Sequence, residues 1–278
     1  MNVFILGAGK LGRALASGLA QHGVEVMLSP ARSGVPVSRI DASVVVLALR
    51  DPEIARAASA LAAARAVSRR AVIVHCAGSL SAEVLAPLRT TCAGVAQMHP
   101  LLSFASREHP PTLAGASVLV QGDPLAVRRA STLAKKLGMT PRSFEQVDPV
   151  GYHAAAALVA NGAAALASLG AELLVASGIS ADDAPRMLGP LLRSVAENVE
   201  RLGLPNALTG PVRRGDAEAL ARQLETVRNR LPEALPLLVA SAKVQLPIAR
   251  SLGDATPAEL DAVSAVLEKF RTRAEARP

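Results

Sequence analysis

The sequence predicts an α/β fold: a doubly wound, Rossmann-type parallel sheet followed by an all-helical C-terminal domain. Three observations predict it. Short apolar runs alternate with helical patterns through the first half of the chain, a glycine turn joins the first run to the first helix, and after residue 148 helical patterns follow one another with no further strand-like run. With 278 residues the chain is long enough for two domains, expected at 1–147 and 148–278.

The first strand, Asn2 to Leu6, runs into Gly7-Ala8-Gly9-Lys10-Leu11-Gly12 and then into an apolar helix. Gly7 permits a tight turn, Gly9 lets a pyrophosphate approach the backbone, and Gly12 lets helix and strand pack closely. Lys10 and Leu11 open the helix, where first-turn amides face a phosphate. A second strand, Val24 to Leu28, completes a βαβ unit, so a dinucleotide cofactor is expected here. No acidic residue follows that strand to grip a ribose 2′-hydroxyl. Ser29-Pro30-Ala31-Arg32-Ser33 stands there instead, and Ser29 with Arg32 suits the 2′-phosphate of NADP.

Ser43 to Leu49 reads as a strand buried on both faces, followed by a helix capped by Asp51 with Pro52 at its first position. Ala71 to His75 is the next strand, Ser81 to Leu88 a short helix, and Gly94 to Met98 a further strand. Ser117 to Gln121, the helix Pro124 to Leu137 and the strand Thr140 to Phe144 complete the first domain. The second holds helices at about 150–177, 181–202, 216–228, 232–252, kinked at Pro236 or Pro247, and 257–276. The last opens with a Thr256/Glu259 capping box.

Half the residues are hydrophobic and 2% aromatic, so the apolar content is mostly small, Ala-rich helix. The net charge of +7 comes from basic residues scattered among acids, with no Trp and one Tyr. Without a basic run or stacking aromatics, nucleic acid is not an expected partner, and the excess charge suits a small anionic substrate. Cys76 and Cys92 form no CxxC, no metal-ligand spacing is present, and no export leader is evident, so a cytoplasmic protein is expected. The uncharged stretch 154–171 contains Asn161 and glycines and reads as a buried helix of a soluble protein rather than a membrane span. Its small residues allow close helix approach, and a homodimer through the helical domain is expected.

In a doubly wound sheet, ligands sit at the carboxyl ends of the strands. Arg50-Asp51, His75 to Ser79, and His99 to Phe104 fall there, which selects Arg50 and Ser79 for the cofactor and His99 and Ser103 for the acceptor. His99 follows a strand and precedes Pro100. Its imidazole is expected to titrate near neutrality and to serve as the proton donor. In the helical domain His153 and Asn161 can share one broad face, for orienting or protonating the acceptor. Arg214, with Asp216, lies in a Gly- and Pro-rich loop and is the expected partner of a substrate carboxylate.

GAGKLG, HCAGSLSAEVL, MHPLLSF, YHAAAALVAN and ALTGPVRRGD together resemble a bacterial family that joins a Rossmann-like domain to a C-terminal domain of unknown function, within the 6-phosphogluconate-dehydrogenase-like superfamily. The resemblance spans nearly the whole chain. It implies an NADPH-dependent reductase, usually dimeric, with ketopantoate (2-dehydropantoate) as the leading substrate. Two departures stand out: Ala77 occupies a position where the family commonly has Ser, and Ala157 one where established ketopantoate reductases carry Lys. The HPL segment is also similar to the HPM segment of prephenate dehydrogenases. Prephenate-type and pyrroline-5-carboxylate-type chemistry are therefore the alternatives, and a non-catalytic NADP sensor is the alternative of a different class.

Overall fold

The computed structural model describes residues 1–36 and 38–270. Seven strands, β1 (Asn2–Leu6), β2 (Glu25–Ser29), β3 (Val44–Leu47), β4 (Val72–His75), β5 (Gly94–Pro100), β6 (Ser117–Gly122) and β7 (Thr140–Arg142), form one sheet in the order β2-β1-β3-β4-β5-β6-β7. The central strands are wholly apolar in their middle and buried on both faces, which is why they read as continuous runs rather than alternating ones. Helices α1 (Lys10–Gln21) and α3 (Pro124–Lys136) bury Leu15, Leu19 and Leu133 against one face. Helix α2 (Asp51–Ala63) and a 3-10 segment (Ala82–Leu88) bury Ile54, Leu61, Leu85 and Leu88 against the other. That two-sided cover is the doubly wound arrangement the sequence predicts.

One strand departs from the parallel expectation, because β6 runs antiparallel to β5, with Pro100 opposite Val118. A parallel return needs a crossover element, and residues 101–116, interrupted by Pro110 and Pro111, form none. The chain instead turns back at the carboxyl end of β5, and β7 then pairs parallel to β6 through α3. The strand β5 also runs two residues further than expected, so His99 lies in the strand rather than after it. The cap of α2 differs too: Arg50 is the N-cap residue, Asp51 begins the helix, and the Asp51 carboxylate is free for another partner.

The chain divides into two compact units, Met1–Ala160 and a second that begins at Asn161, the division falling inside α4 (Pro149–Ala176). In the second unit, α6 (Ala217–Arg230), α7 (Leu235–Leu252) and α8 (Pro257–Lys269) share a core of Leu220, Leu224, Val239, Ala242, Leu260 and Val263. Pro236 stands in the first turn of α7, where its missing N–H costs no hydrogen bond, while Pro247 lies within the helix. The capping box of α8 is present as expected; the expected continuation of that helix to residue 276 lies outside the described residues.

Helix α4 differs from its expectation. It is long and apolar enough to cross a membrane by length and composition, yet none of its residues is buried within the chain. Alanine has too little bulk to fill a core, and only Leu169 and Leu173 pack against a cluster formed by Val227, Leu231 and Ala234. Helix α5 (Asp183–Leu202) likewise exposes Met187, Leu191, Val195 and Val199.

Candidate active site

The β1–α1 turn is built by close approach. Gly7 has φ +119°, and a Cβ there would fall 2.2 Å from the Ala48 carbonyl oxygen, while one on Gly12 would fall 1.8 Å from that of Gly7. At Gly9 the same atom would meet nothing within 4 Å, so the space before the turn is open. Gly9 is the N-cap of α1 and offers no side chain to its amides, and the first helical turn holds no acid. The amides of Lys10, Leu11 and Gly12, which have no intrahelical acceptor, thus meet the open space with the positive end of the helix dipole.

A cavity of about 440 Å³ continues from this turn, lined by Gly7, Gly9, Arg13, Arg32, Arg50 and Arg107 among others, with Glu53 as its acid. Its size and its guanidiniums fit the pyrophosphate and adenosine portion of a dinucleotide. Arg32 and Arg50, both expected at the cofactor, line the cavity. Ser29 is not among the lining residues, although its carbonyl accepts the Gly7 amide and fixes the turn. Arg107, which sequence reasoning missed, comes from the loop after β5; the signal was a cation in the connection that returns across the sheet's carboxyl edge.

A second set of polar groups stands at the carboxyl ends of β4 and β5, in the same unit. His99 Nδ1 lies 3.0 Å from the Tyr152 hydroxyl, and the two rings meet edge to face at 5.5 Å. The His153 ring is 5.9 Å from that of His99. Gly78 makes this gathering possible, since a Cβ on it would fall 2.5 Å from His153 Nδ1 and 2.8 Å from His99 Nε2. Gln97, fully buried, donates from Nε2 to the Ala77 carbonyl and holds the Gly78 segment in place.

Burial, with repulsion from His153, pushes the His99 pKa down to about 4, against the opposing pull of Asp51. At neutral pH His99 is therefore a neutral imidazole and not the proton-rich acid that titration near neutrality would make it. Burial raises the Tyr152 phenol above its ordinary range, so its proton stays in place. Tyr152 was missed as a site residue. The signal was that the chain's one tyrosine stands at the head of its most apolar helix.

His75, fully buried, accepts the Ala77 amide on Nδ1 and approaches the Ser81 carbonyl with Nε2 at 3.1 Å, so both nitrogens are engaged in structure. Burial pushes its pKa down to about 4 and that of the neighbouring Cys76 up to about 12, leaving the thiol unreactive. The Ser79 hydroxyl donates to Asp51 Oδ2, so Ser79, expected at the cofactor, is joined to the start of α2.

Of the remaining expected residues, Ser103 belongs to the first unit, and Asn161, Arg214 and Asp216 belong to the second. Ser103 is exposed in the loop after β5. Asn161 opens the second unit, exposed on α4. Arg214 is exposed in the loop before α6, and Asp216 spends its carboxylate on the Ala219 amide as the helix N-cap. The neighbouring Arg213 is tied to Asp254 and to the Asn206 and Leu208 carbonyls, a structural use.

Residues 29–100 match the family model of the Rossmann-like domain, and residues 116–242 match that of a domain of unknown function, DUF2520. The chain joins a Rossmann-like domain to a DUF2520 domain. This is the pairing its motifs resemble. No curated protein matches it in sequence. Among solved structures, the Rossmann-like/DUF2520 chain is similar to a protein from Bacteroides fragilis whose name is that of an NADP oxidoreductase, at 19% identity over 88% of this chain and 97% of that one, TM-score 0.68. It is also similar to a protein from Thermotoga maritima, at 21% identity over 90% and 98%, TM-score 0.64. A third is the pyrroline carboxylate reductase of Plasmodium falciparum, solved with NADP bound, at 12% identity over 97% of each chain, TM-score 0.58. At these identities the likeness is one of fold.

Two outcomes follow from the geometry. Gly12→Ala should destabilise the first unit by several kcal/mol, on the order of other severe overpacking, whereas Gly9→Ala should leave the urea midpoint within error and weaken dinucleotide binding. Equal stability of the two variants would contradict the close-approach account. The second concerns pH. His75 is held near 4 in the folded chain against 6.5 unfolded, so the unfolded chain takes up its proton first as pH falls. Its contribution is fully present above about pH 6.5 and is lost progressively down to about pH 4, on the order of 3 kcal/mol. Urea midpoints measured across that window should fall in the wild type and fall less in His75→Gln.

Proposed function

We propose that this protein is an NADPH-dependent reductase of a small 2-oxo acid, with 2-dehydropantoate as the leading substrate. The observation that carries the reading is the presence, at one edge of one sheet, of both an arginine-lined glycine-turn cavity and a His99/Tyr152/His153 cluster. A sensor of NADP needs the first and has no use for the second. The names of the similar structures, an NADP oxidoreductase and a reductase with NADP bound, agree with it.

A bound reduced nicotinamide would supply the hydride. Gly7, Gly9 and the amides of Lys10, Leu11 and Gly12 would hold the pyrophosphate, with Arg32 and Arg107 at the 2′-phosphate and Arg50 beside them. The protein's task at the acceptor is to neutralise the charge that develops on its oxygen. Neutral His99 can donate from Nδ1 to the Tyr152 oxygen, which leaves the phenolic O–H to donate outward. As that proton moves, the imidazole N–H stabilises the phenolate left behind. His153 would orient the acceptor over Gly78. Asn161 and Arg214 remain proposed for positioning and for the substrate carboxylate, respectively.

Assembly follows from the exposed apolar side chains of α4 and α5: we propose a cytoplasmic homodimer formed through them, with neither a membrane nor a nucleic acid as partner. An interface would cover the apolar surface that a single chain leaves in water.

The test is NADPH oxidation against a panel of 2-oxo acids and cyclic imines. His99→Asn and Tyr152→Phe should each lower kcat by roughly 10²-fold while NADPH binding is kept. Turnover of a pyrroline carboxylate and of no 2-oxo acid would transfer the reading to imine reduction. Tight NADPH binding with no acceptor consumed would leave the sensor.

A further inference from the structure

At the amino edge of the sheet, opposite the nucleotide cavity, lies a cavity of about 790 Å³ lined by Arg39, Asp41, Arg65, Ser68, Arg69, Arg70, Thr90 and Thr91 among others. Its walls are the segments that enter three adjacent strands: Arg39 and Asp41 before β3, Arg65 to Arg70 before β4, and Thr90 and Thr91 before β5. Four arginines and one acid line it, all four arginines being exposed. Among the described residues none of the four makes a side-chain hydrogen bond or ion pair, and Asp41 pairs with none of them.

Several arginines elsewhere in this protein are paired with acids. Arg89 binds Glu83 and Asp123, Arg213 binds Asp254, Arg228 binds Glu225, and Arg250 binds Asp261. In the first unit the arginines left without a carboxylate gather chiefly in two cavities. One is the nucleotide cavity, with Arg13, Arg32, Arg50 and Arg107; the other is this one. Like charges brought together without counter-charge repel, and an arrangement that keeps them together suits a ligand that supplies the missing negative charge.

The backbone around the cavity is held in place by the fold. Arg65, at φ +48°, is the left-handed residue that closes α2, with its amide on the Ala62 carbonyl and the Ala66 amide on that of Leu61. It is followed by the Ile40–Val67 bridge, which ties the Arg39 segment to the Arg65–Arg70 segment. Arg129 on α3 donates to the Ser43 and Arg70 carbonyls and braces the far wall. Ser68 Oγ accepts the Arg70 amide, which leaves its O–H to donate into the cavity.

We propose that this amino-edge cavity is a second anion site, which takes a compact polyphosphate bearing at least two phosphoryl groups. Arginine forks bind phosphate oxygens bidentately, and four of them exceed what a single phosphate can engage. The site is independent of the nucleotide cavity: strand β4 alone, four residues long, puts roughly 13 Å between the two edges. Occupancy by NADPH and by polyphosphate can therefore be simultaneous.

Calorimetry on the full chain, saturated with NADPH so that the nucleotide cavity is filled, tests it with inorganic tripolyphosphate as probe. The expected result is one tripolyphosphate per chain, at least tenfold tighter than orthophosphate and weakened by added salt. Arg69→Ala/Arg70→Ala should weaken it tenfold or more with NADPH affinity unchanged. Arg65→Gly, which removes a guanidinium while suiting the left-handed backbone, should weaken it without loss of thermal stability. ATP in a parallel titration identifies the source: tighter than tripolyphosphate means a nucleotide, equal or weaker means free polyphosphate. Tripolyphosphate that binds only when NADPH is absent, or binds the variants as tightly as the wild type, overturns the proposal.

Discussion

The structure depends on the contact between backbones that glycine permits at the carboxyl edge of the sheet. Gly7 lies against the carbonyl of Ala48 at the end of β3, and Gly12 lies against the carbonyl of Gly7, both closer than any Cβ allows. These approaches bring the start of α1 onto the strand ends and leave its amides uncapped and facing outward. The same device recurs after β4. There the bare Cα of Gly78 admits two imidazoles, and Gln97 beneath it holds the segment by its carbonyls. Backbone proximity, rather than any one side chain, decides where the polar groups of this edge can stand.

Burial then sets what those groups can do. His75 and His99 are both held neutral at physiological pH, the first with its two nitrogens engaged by backbone, the second with one nitrogen on a phenol. A neutral imidazole is a hydrogen-bond donor and acceptor, not a reservoir of positive charge, so the chemistry shifts to the His99/Tyr152 pair. The excess positive charge of the chain is carried by arginines, and in the first unit these segregate toward opposite edges of the sheet.

Much of this was legible in the residues. The apolar runs of β1, β3 and β4 and the glycine turn placed the sheet and its ligand edge, because a strand buried on both faces must be continuously apolar. Arg32, singled out by its position after β2, does line the cavity that continues from the turn. The direction of β6 could not be read, since periodicity is blind to strand polarity, although the absence of a helical pattern between Pro100 and Ser117 was its trace. Tyr152, Gly78 and the Ser79–Asp51 bond were hidden for a different reason: each acquires its role from a residue distant in sequence, as with the 53 positions between His99 and Tyr152. Arg107 and the amino-edge arginines were hidden likewise, as charges scattered along the chain that the sheet collects at its ends. The α4 expectation failed because an alanine-rich run states only that a helix is apolar, not what covers it.

The central claim is that the carboxyl edge of the first unit is a dinucleotide site tuned to an extra phosphate. Calorimetric titration of NADPH and NADH into the wild-type chain and into Arg32→Ala tests it most directly. The account predicts NADPH binding at least about tenfold tighter than NADH in the wild type, roughly 1.4 kcal/mol, with most of that difference gone in the variant. Equal affinities for the two cofactors, or no binding of either at millimolar concentration, would contradict it.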